Sequence, residues 1–501
     1  MDEGPGPGSS SPRLSPLVLS SPYRKSTGLC LAMAEDFLPI RRLLVLGLAF
    51  WTSSQVAANE PIEIYVSPLG SDSTGDGTTV RPYETLQRAM TVASPGDNVV
   101  LRGGVYRHAR QVISSRGTVN EPIIVSPYAG ETVVFDARGL DVGPDAAVIE
   151  LVGSAHVTLR GLEVRNSSGR GIALKEVEHV EVSGCVVHDI DYRAIGGHGR
   201  DIRFIDNEVY RAALVNAGGG SPGGWPGAIS TWTPPGEALT RNVTIRGNRV
   251  YEIWGEGIIA LLMEDSVIEG NIVHDTFGSA IYVDTSRRVT INANHVWMAD
   301  LRYRRADRLA TGVNIAAECC HPWGTLLPED ILIMNNLFSG TGRGIHFWHD
   351  RSNRNKTNSY RNVDVFNNVF FANAEAALSF DSTPWRRLSP RDSEVRNNVI
   401  YSSLNGITVD IPQPDAWSFS HNDWPDGMPL AARGPGSLTL EPGFARAPTV
   451  DGATDGFKLL RGSPLEAAAI YDERVSVDMW GTPRPRSPAI GLFEPLRRRA
   501  N

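Results

Sequence analysis

Eight short segments of this chain align on one another, and their spacing restricts the fold more than any other feature. They include HVEVSGCVV (179–187), DIRFIDNEV (201–209), NVTIRGNRV (242–250), DSVIEGNIV (265–273), RVTINANHV (288–296) and NVDVFNNVF (362–370). Registered on one column, beginning with Leu162 just ahead of them, they give Leu162, Cys185, Asn207, Asn248, Asn271, Asn294, Asn336, Asn368 and Asn398, at steps of 23, 22, 41, 23, 23, 42, 32 and 30 residues. A base period of 22–23 residues with apolar positions alternating every second residue predicts an all-β solenoid, a parallel β-helix in which each coil buries its apolar row against its neighbours. Helical repeats are excluded, because no stretch in this region sustains the i, i+3, i+4, i+7 pattern. The asparagines are expected to be structural: they tolerate left-handed backbone at turns, and stacked amides can bond from coil to coil. Cys185, in the same column, is expected to be a buried member of the stack.

Each coil carries a second strand after a small residue, as in GIIALL, SAIYVD, GVNIAAE, GIHFWHD and AALSFD. Counted from that residue, the first and third side chains point inward and the even ones outward. This places Lys175, Asn314, His346, Trp348 and Asp410 on one outer face. Four coils are longer than the base period, and insertions in a solenoid map to its surface loops. They are expected to follow the second strand and to wall a groove. Bordering it would be Trp232, Asp284, Glu318, His346, Trp348, His349, Asp350 and Asp381, with Trp225, Trp323 and Trp385 on the walls and Arg343 close along the chain.

The chain of 501 residues has a formal charge of −8 and four lysines among its 48 basic residues, so it offers no basic stripe for a nucleic acid. Arg41 to Glu60 has a basic start, a short apolar run and small residues before a cleavage point, the pattern of a secretory signal. The expected organisation is an upstream extension over 1–32, a signal peptide over 33–58, the β-helix over 61–425 and a segment over 426–501 that folds back on the last coils. The mature protein is expected to be secreted or periplasmic, monomeric, and not membrane-bound. Cys185, Cys319 and Cys320 remain after the signal, an odd number that implies no disulfide framework.

The stretch IYVSPLGSDSTGDGTTVRPYETLQRAMTVASPGDNVVLRGGVYR, Ile64 to Arg107, resembles the opening of secreted right-handed β-helix proteins of the pectate-lyase-like superfamily, polysaccharide lyase families 6 and 9 in particular. GTVNEPIIVSPYAGETVVFDARG continues the likeness, and Gly462 to Glu494 looks like a closing segment common in such proteins. The resemblance implies a right-handed coil and a polysaccharide substrate. The aspartate cluster that holds calcium in family 9 and the DPH motif of the related alginate epimerases are absent, so no calcium site is recognisable and no cofactor is expected.

Three chemistries fit the groove residues. A lyase needs a group that neutralises a uronate carboxylate and a base for the C5 proton; Asn314 or Arg343 serves the first purpose, and His346 or His349 the second. A hydrolase needs two carboxyl groups about 5 Å or 6.5–9.5 Å apart, drawn from Asp284, Glu318, Asp350 and Asp381. A non-catalytic glycan binder would use Trp232, Trp323, Trp348 and Trp385 for stacking and would have no need of the histidines and carboxylates. Lyase is placed first. ECCHPW, Glu318 to Trp323, lacks the paired spacing of a zinc site.

Overall fold

The computed structural model describes residues 61–107, 109–222, 224–317, 326–348, 359–380, 391–403, 409–410, 417–451 and 454–495. The extension and signal expected over 1–58 lie outside these residues, as do Glu318, Cys319, Cys320, Trp323, His349, Asp350, Asp381 and Trp385. The described chain winds as a right-handed parallel β-helix with its strands in three ladders. One ladder, which carries the outer face identified above, runs through Gly227–Thr231, Glu256–Leu261, Ile281–Asp284, Val313–Ala316, Arg343–Trp348 and Ala376–Phe380. Each strand pairs in parallel with the one a coil away.

Alternation along each strand sets what is buried. Ile258, Ile281, Val313, Ile345 and Leu378 stand in register and are fully enclosed. Burying each such side chain is worth about 1.5–3 kcal/mol, but only when coils exist on both sides of it. Further along, Phe347 stacks on Phe380 with 4.6 Å between ring centroids, and Tyr360 and Trp417 pack beside them. At the N-terminal end, where no earlier coil covers the interior, the helix Leu86–Val92 buries Leu86, Ala89 and Met90 against the first strands. Thr85 caps it by accepting from the Arg88 N–H.

The asparagine column is a continuous amide ladder. Asn207 Nδ2 donates to Asn248 Oδ1 at 2.9 Å, and the same bond links Asn248 to Asn271, Asn271 to Asn294, Asn294 to Asn336, Asn336 to Asn368, Asn368 to Asn398 and Asn398 to Asn422 at 2.9–3.0 Å. Asn248 shows what the asparagine side chain supplies. Its Oδ1 accepts from the backbone and the amide of Asn207, and its Nδ2 donates to Asn271 and to the Phe204 carbonyl, so all four of its capacities are filled. The left-handed turn expected at these residues sits one position earlier, at Asp206, Gly247, Gly270, Ala293, Asn335, Asn367 and Asn397. The column residues are therefore chosen for their side-chain bonds, and their neighbours for the backbone. Cys185 joins the stack, its N–H bonded to Asn207 Oδ1 at 3.0 Å, and burial pushes its thiol up to about 11. The ladder also reaches Asn422, a member the repeat alignment did not include.

The C-terminal segment packs on the outside of another ladder. Phe457, Leu465, Ile490 and Phe493 close over Leu337, Val369 and Val399. Buried Arg484 reaches Asn335 Oδ1 at 2.8 Å, and Arg474 pairs with Asp364 at 2.7 Å.

Candidate active site

The outward positions of the first ladder fall into columns. One runs Gly196, Ser230, Ile259, Tyr282, Asn314, His346, Ser379, and a second, two residues on, runs Leu261, Asp284, Ala316, Trp348. Over this face lies a groove of about 880 Å³. Its floor includes Ser230, Ile259, Tyr282, Asn314 and His346, Asp284 and Trp348 flank it, and Trp225, Phe277 and Arg305 rise beside it. Ile259, Tyr282 and Ala316 form a small apolar cluster on the outer surface, with Leu261 and Trp348 packed against it.

The wall differs from expectation in where it leaves the chain. In two coils residues 214–226 and 298–311 precede the second strand instead of following it, whereas 233–239 follows as expected; the segments 318–325, 349–358 and 381–390, which come after their second strands in the chain, lie outside the described residues. Asp275 ties the longer insertion down by accepting from the backbone N–H groups of Ala299 and Asp300 at 2.8 and 2.7 Å. Burial opposes ionisation of Asp275, but bonds from His274 and these two N–H groups outweigh it and hold the carboxyl below the usual range. Asp300 in turn caps the 3-10 turn Leu301–Tyr303. The insertion then delivers Arg305, whose guanidinium lies 4.6 Å from the Trp225 ring centre, and Trp225 stacks on Phe277.

The structure brings His346 and Asn314 together as strand partners one coil apart. The His346 ring is buried, with Nδ1 3.3 Å from the Ser379 carbonyl. Arg343 Nη1 lies against the same ring, 3.0 Å from Nδ1 and 2.9 Å from Nε2. Arg343, expected as a substrate contact, stands beside the groove lining with its Nε donating to Glu375 at 3.0 Å and its outer nitrogen on the histidine. Asn314 is half-buried, and its Oδ1 has no hydrogen-bond partner among the described residues. Asp284 is buried and accepts from its neighbour Thr285 at 2.7 Å; it stands two coils and two positions from His346. Trp348 flanks the groove near His346, and Trp232 lies at the other end, within 5.1–5.2 Å of the guanidiniums of Arg170 and Arg193.

Several lining residues were not singled out in the sequence: Arg193, Ser230, Glu256, Tyr282 and Arg305. In three coils the second strand is offset by one residue from the sequence register. The small residue is Ala228 rather than Gly227, Ala280 rather than Ser279, and Ala377 rather than Ala376, so Ser230, Tyr282 and Ser379 join the outward column. Aligning the position before the small residue would have put Arg170, Arg193, Glu256 and Arg343 in one outward column. A possible metal-ligand group among the described residues, His156, Glu178 and His179, is not part of the groove lining.

Comparison with known proteins agrees with this geometry. A family model described as Pel9A-like, right handed beta helix region, matches residues 64–219, and a second, right handed beta helix region, matches 147–360. Pectate lyase PEL9 of Emericella nidulans is 37% identical over 83 residues, 16% of this chain and 20% of that protein. The uncharacterized protein YwoF of Bacillus subtilis is 31% identical over 106 residues, 21% of this chain and 22% of that one. The chain thus spans about a fifth of the length of these curated relatives. Among solved structures, pectate lyase Pel9A superimposes with a TM-score of 0.56 over 88% of this chain and 98% of its own, at 15% identity. A mutant of the PL6 family alginate lyase AlyGC does so with a TM-score of 0.51 over 83% and 58%, again at 15% identity. The chain is a pectate-lyase-like right-handed parallel β-helix. Among its described residues, no helix is long and apolar enough to cross a membrane.

Proposed function

We propose that this protein is a secreted polysaccharide lyase that cleaves a uronate-containing glycan by β-elimination in the groove. The observation that carries the reading is the register of Asn314 against His346 on the groove floor, with the imidazole held between the Arg343 guanidinium and the Ser379 carbonyl. In this mechanism the substrate carboxylate draws Arg343 off Nε2, because a charge-assisted bond to a carboxylate is stronger than one to a neutral imidazole. Asn314 then holds the carboxylate together with Arg343 while His346 Nε2 takes the C5 proton. The electrons of the C5–H bond form the C4–C5 double bond, the C4–O4 bond breaks, and O4 leaves with a proton. Tyr282, one coil beyond Asn314 in the same column, supplies that proton through its hydroxyl. Two relatives named as lyases share the fold, and the pattern of Arg41 to Glu60 supports export.

A hydrolase is the second reading, and the described carboxylates favour it less. Glu256 and Asp284 line the same groove but differ by one coil and five strand positions, which separates their Cα atoms by about 17 Å. Hydrolysis needs carboxyl groups no further than about 9.5 Å apart.

The test is incubation with polymers of galacturonate, mannuronate, guluronate and glucuronate and with neutral glycans, following both the ultraviolet absorbance of unsaturated uronates and new reducing ends. Both signals on an acidic polymer are expected; reducing ends without absorbance would refute elimination. His346→Ala is expected to lower kcat by about 10²–10⁴ with little change in melting temperature.

A further inference from the structure

At the end of the groove away from His346 stands the cation Arg193. It is half-buried, and among the described residues it forms no ion pair. Its Nε is enclosed and has no hydrogen-bond partner. Two charges act on it: Arg170, another cation one coil back, and more weakly Asp145, which pairs with Arg170 at 2.7 Å. Both guanidiniums lie over Trp232, at 5.2 Å for Arg170 and 5.1 Å for Arg193. His198, also against that ring, is engaged by Glu237 at 3.2 Å. Burial, and secondarily Arg170, push the Arg193 guanidinium down to about 10, as befits a cation held out of water beside a like charge.

A second orphan stands in the same place. Ser230 is 1% exposed, lines the groove, and its hydroxyl has no partner among the described residues. Its strand partner is Gly196, where a Cβ would come within 2.2 Å of the Ser230 carbonyl, so the coil is kept bare at this point. A guanidinium without an ion pair, a hydroxyl without a hydrogen-bond partner among the described residues, and an indole lie together at one end of the groove. Buried polar groups left this way cost stability unless a ligand completes them.

We infer that Arg193, Ser230 and Trp232 form a remote carboxylate-binding sugar subsite, at which a uronate unit of the substrate chain is held while another unit reacts at His346. This rests on the lyase reading above. Five strand steps separate Gly196 from His346 in one column, about 24 Å at ~4.8 Å per coil. The polymer would therefore lie along the solenoid axis and bridge both ends. Acidic chains that span this distance would gain the Arg193 contact, and shorter ones would not.

Affinity for acidic oligomers longer and shorter than the ~24 Å span, and for the long oligomer after reduction of its carboxyl groups, tests this. The measurements use the full chain, with His346→Ala as background so that nothing is consumed. Arg193→Gln is expected to weaken binding of the long acidic oligomer about tenfold or more and to leave the short and the reduced oligomers unchanged, with Arg193→Lys retaining part of the affinity. Ser230→Ala, which removes no internal hydrogen bond, is expected to weaken the long oligomer alone. Unchanged affinity of Arg193→Gln for the long acidic oligomer overturns the subsite, as does an equal loss on the reduced one. If the parent protein binds no acidic polymer, the lyase reading falls first and the subsite with it.

Discussion

Replacing Asn271 by glycine separates a backbone role from a side-chain role for the asparagine column. Asn271 is fully enclosed, and its side chain makes four hydrogen bonds. Oδ1 accepts from the backbone and the amide of Asn248 at 3.0 and 2.9 Å, and Nδ2 donates to Asn294 Oδ1 and the Ile245 carbonyl at 2.9 Å each. Removing it strands two donors of Asn248 and the Ile245 carbonyl where water does not reach. Asn294 Oδ1 keeps only the Asn271 backbone donor. Each stranded group costs about 1–3 kcal/mol, and some recover by local relaxation, so Asn271→Gly is expected to destabilise the protein by about 4 kcal/mol. The residue before it is the left-handed one, Gly270, with open space where a Cβ would stand. Asn335, Asn367 and Asn397 occupy the equivalent position in other coils, so Gly270→Asn is expected to fall within about 1 kcal/mol of the parent. Urea denaturation of both variants, with the slope of the transition checked for constancy, measures the two values. A near-neutral Asn271→Gly, or a larger loss at Gly270→Asn than at Asn271→Gly, would refute the ladder argument.

Asp423 gives a pH dependence with a definite sign. It is fully buried, accepts from the Leu440 N–H at 3.1 Å, and burial pushes its carboxyl up to about 7. A carboxyl raised above its unfolded value of about 3.9 supports the fold in its protonated form, fully below about pH 4, and this support is lost as pH rises through 7. Asp423→Asn is accordingly expected to gain of order 2–4 kcal/mol over the parent near pH 8 and little near pH 4, by melting temperature at the two pH values; an equal gain at both would show that ionisation is not the cause. Phe457, fully buried and edge-on to Phe371 and Phe444, anchors the C-terminal segment. Phe457→Ala is expected to cost about 3–5 kcal/mol and to make residues beyond 426 the first site of limited proteolysis; cleavage within the coils first would contradict the packing described.

Much of the coil was legible because it obeys local rules. The column of Cys185 and the asparagines from 207 to 398, and the inward row of Ile345 and Phe347, follow from a period of about 23 residues and strand alternation. His346, Asn314 and Trp348 were placed on the groove face by the same count. The errors arose where that count had no fixed origin. Glycine, alanine and serine are all small, so the register of the strands around Ala228, Ala280 and Ala377 slipped by one and hid Ser230, Tyr282 and Ser379. Nor does anything in RGIHFWHD reveal that Glu375, a coil away, engages the Nε of Arg343.

By itself the sequence determined the solenoid, its amide spine and the face that would carry a site, since these depend on periodicity, and a period is a property of the chain. Only the tertiary structure decided which residues meet. Arg193 and Trp232 are 39 positions apart in sequence, and Arg305 reaches Trp225 from an insertion 80 residues later. Such pairs form because coils stack at a fixed spacing while insertions of different length fold over one face, and the path of an insertion is set by what it packs on.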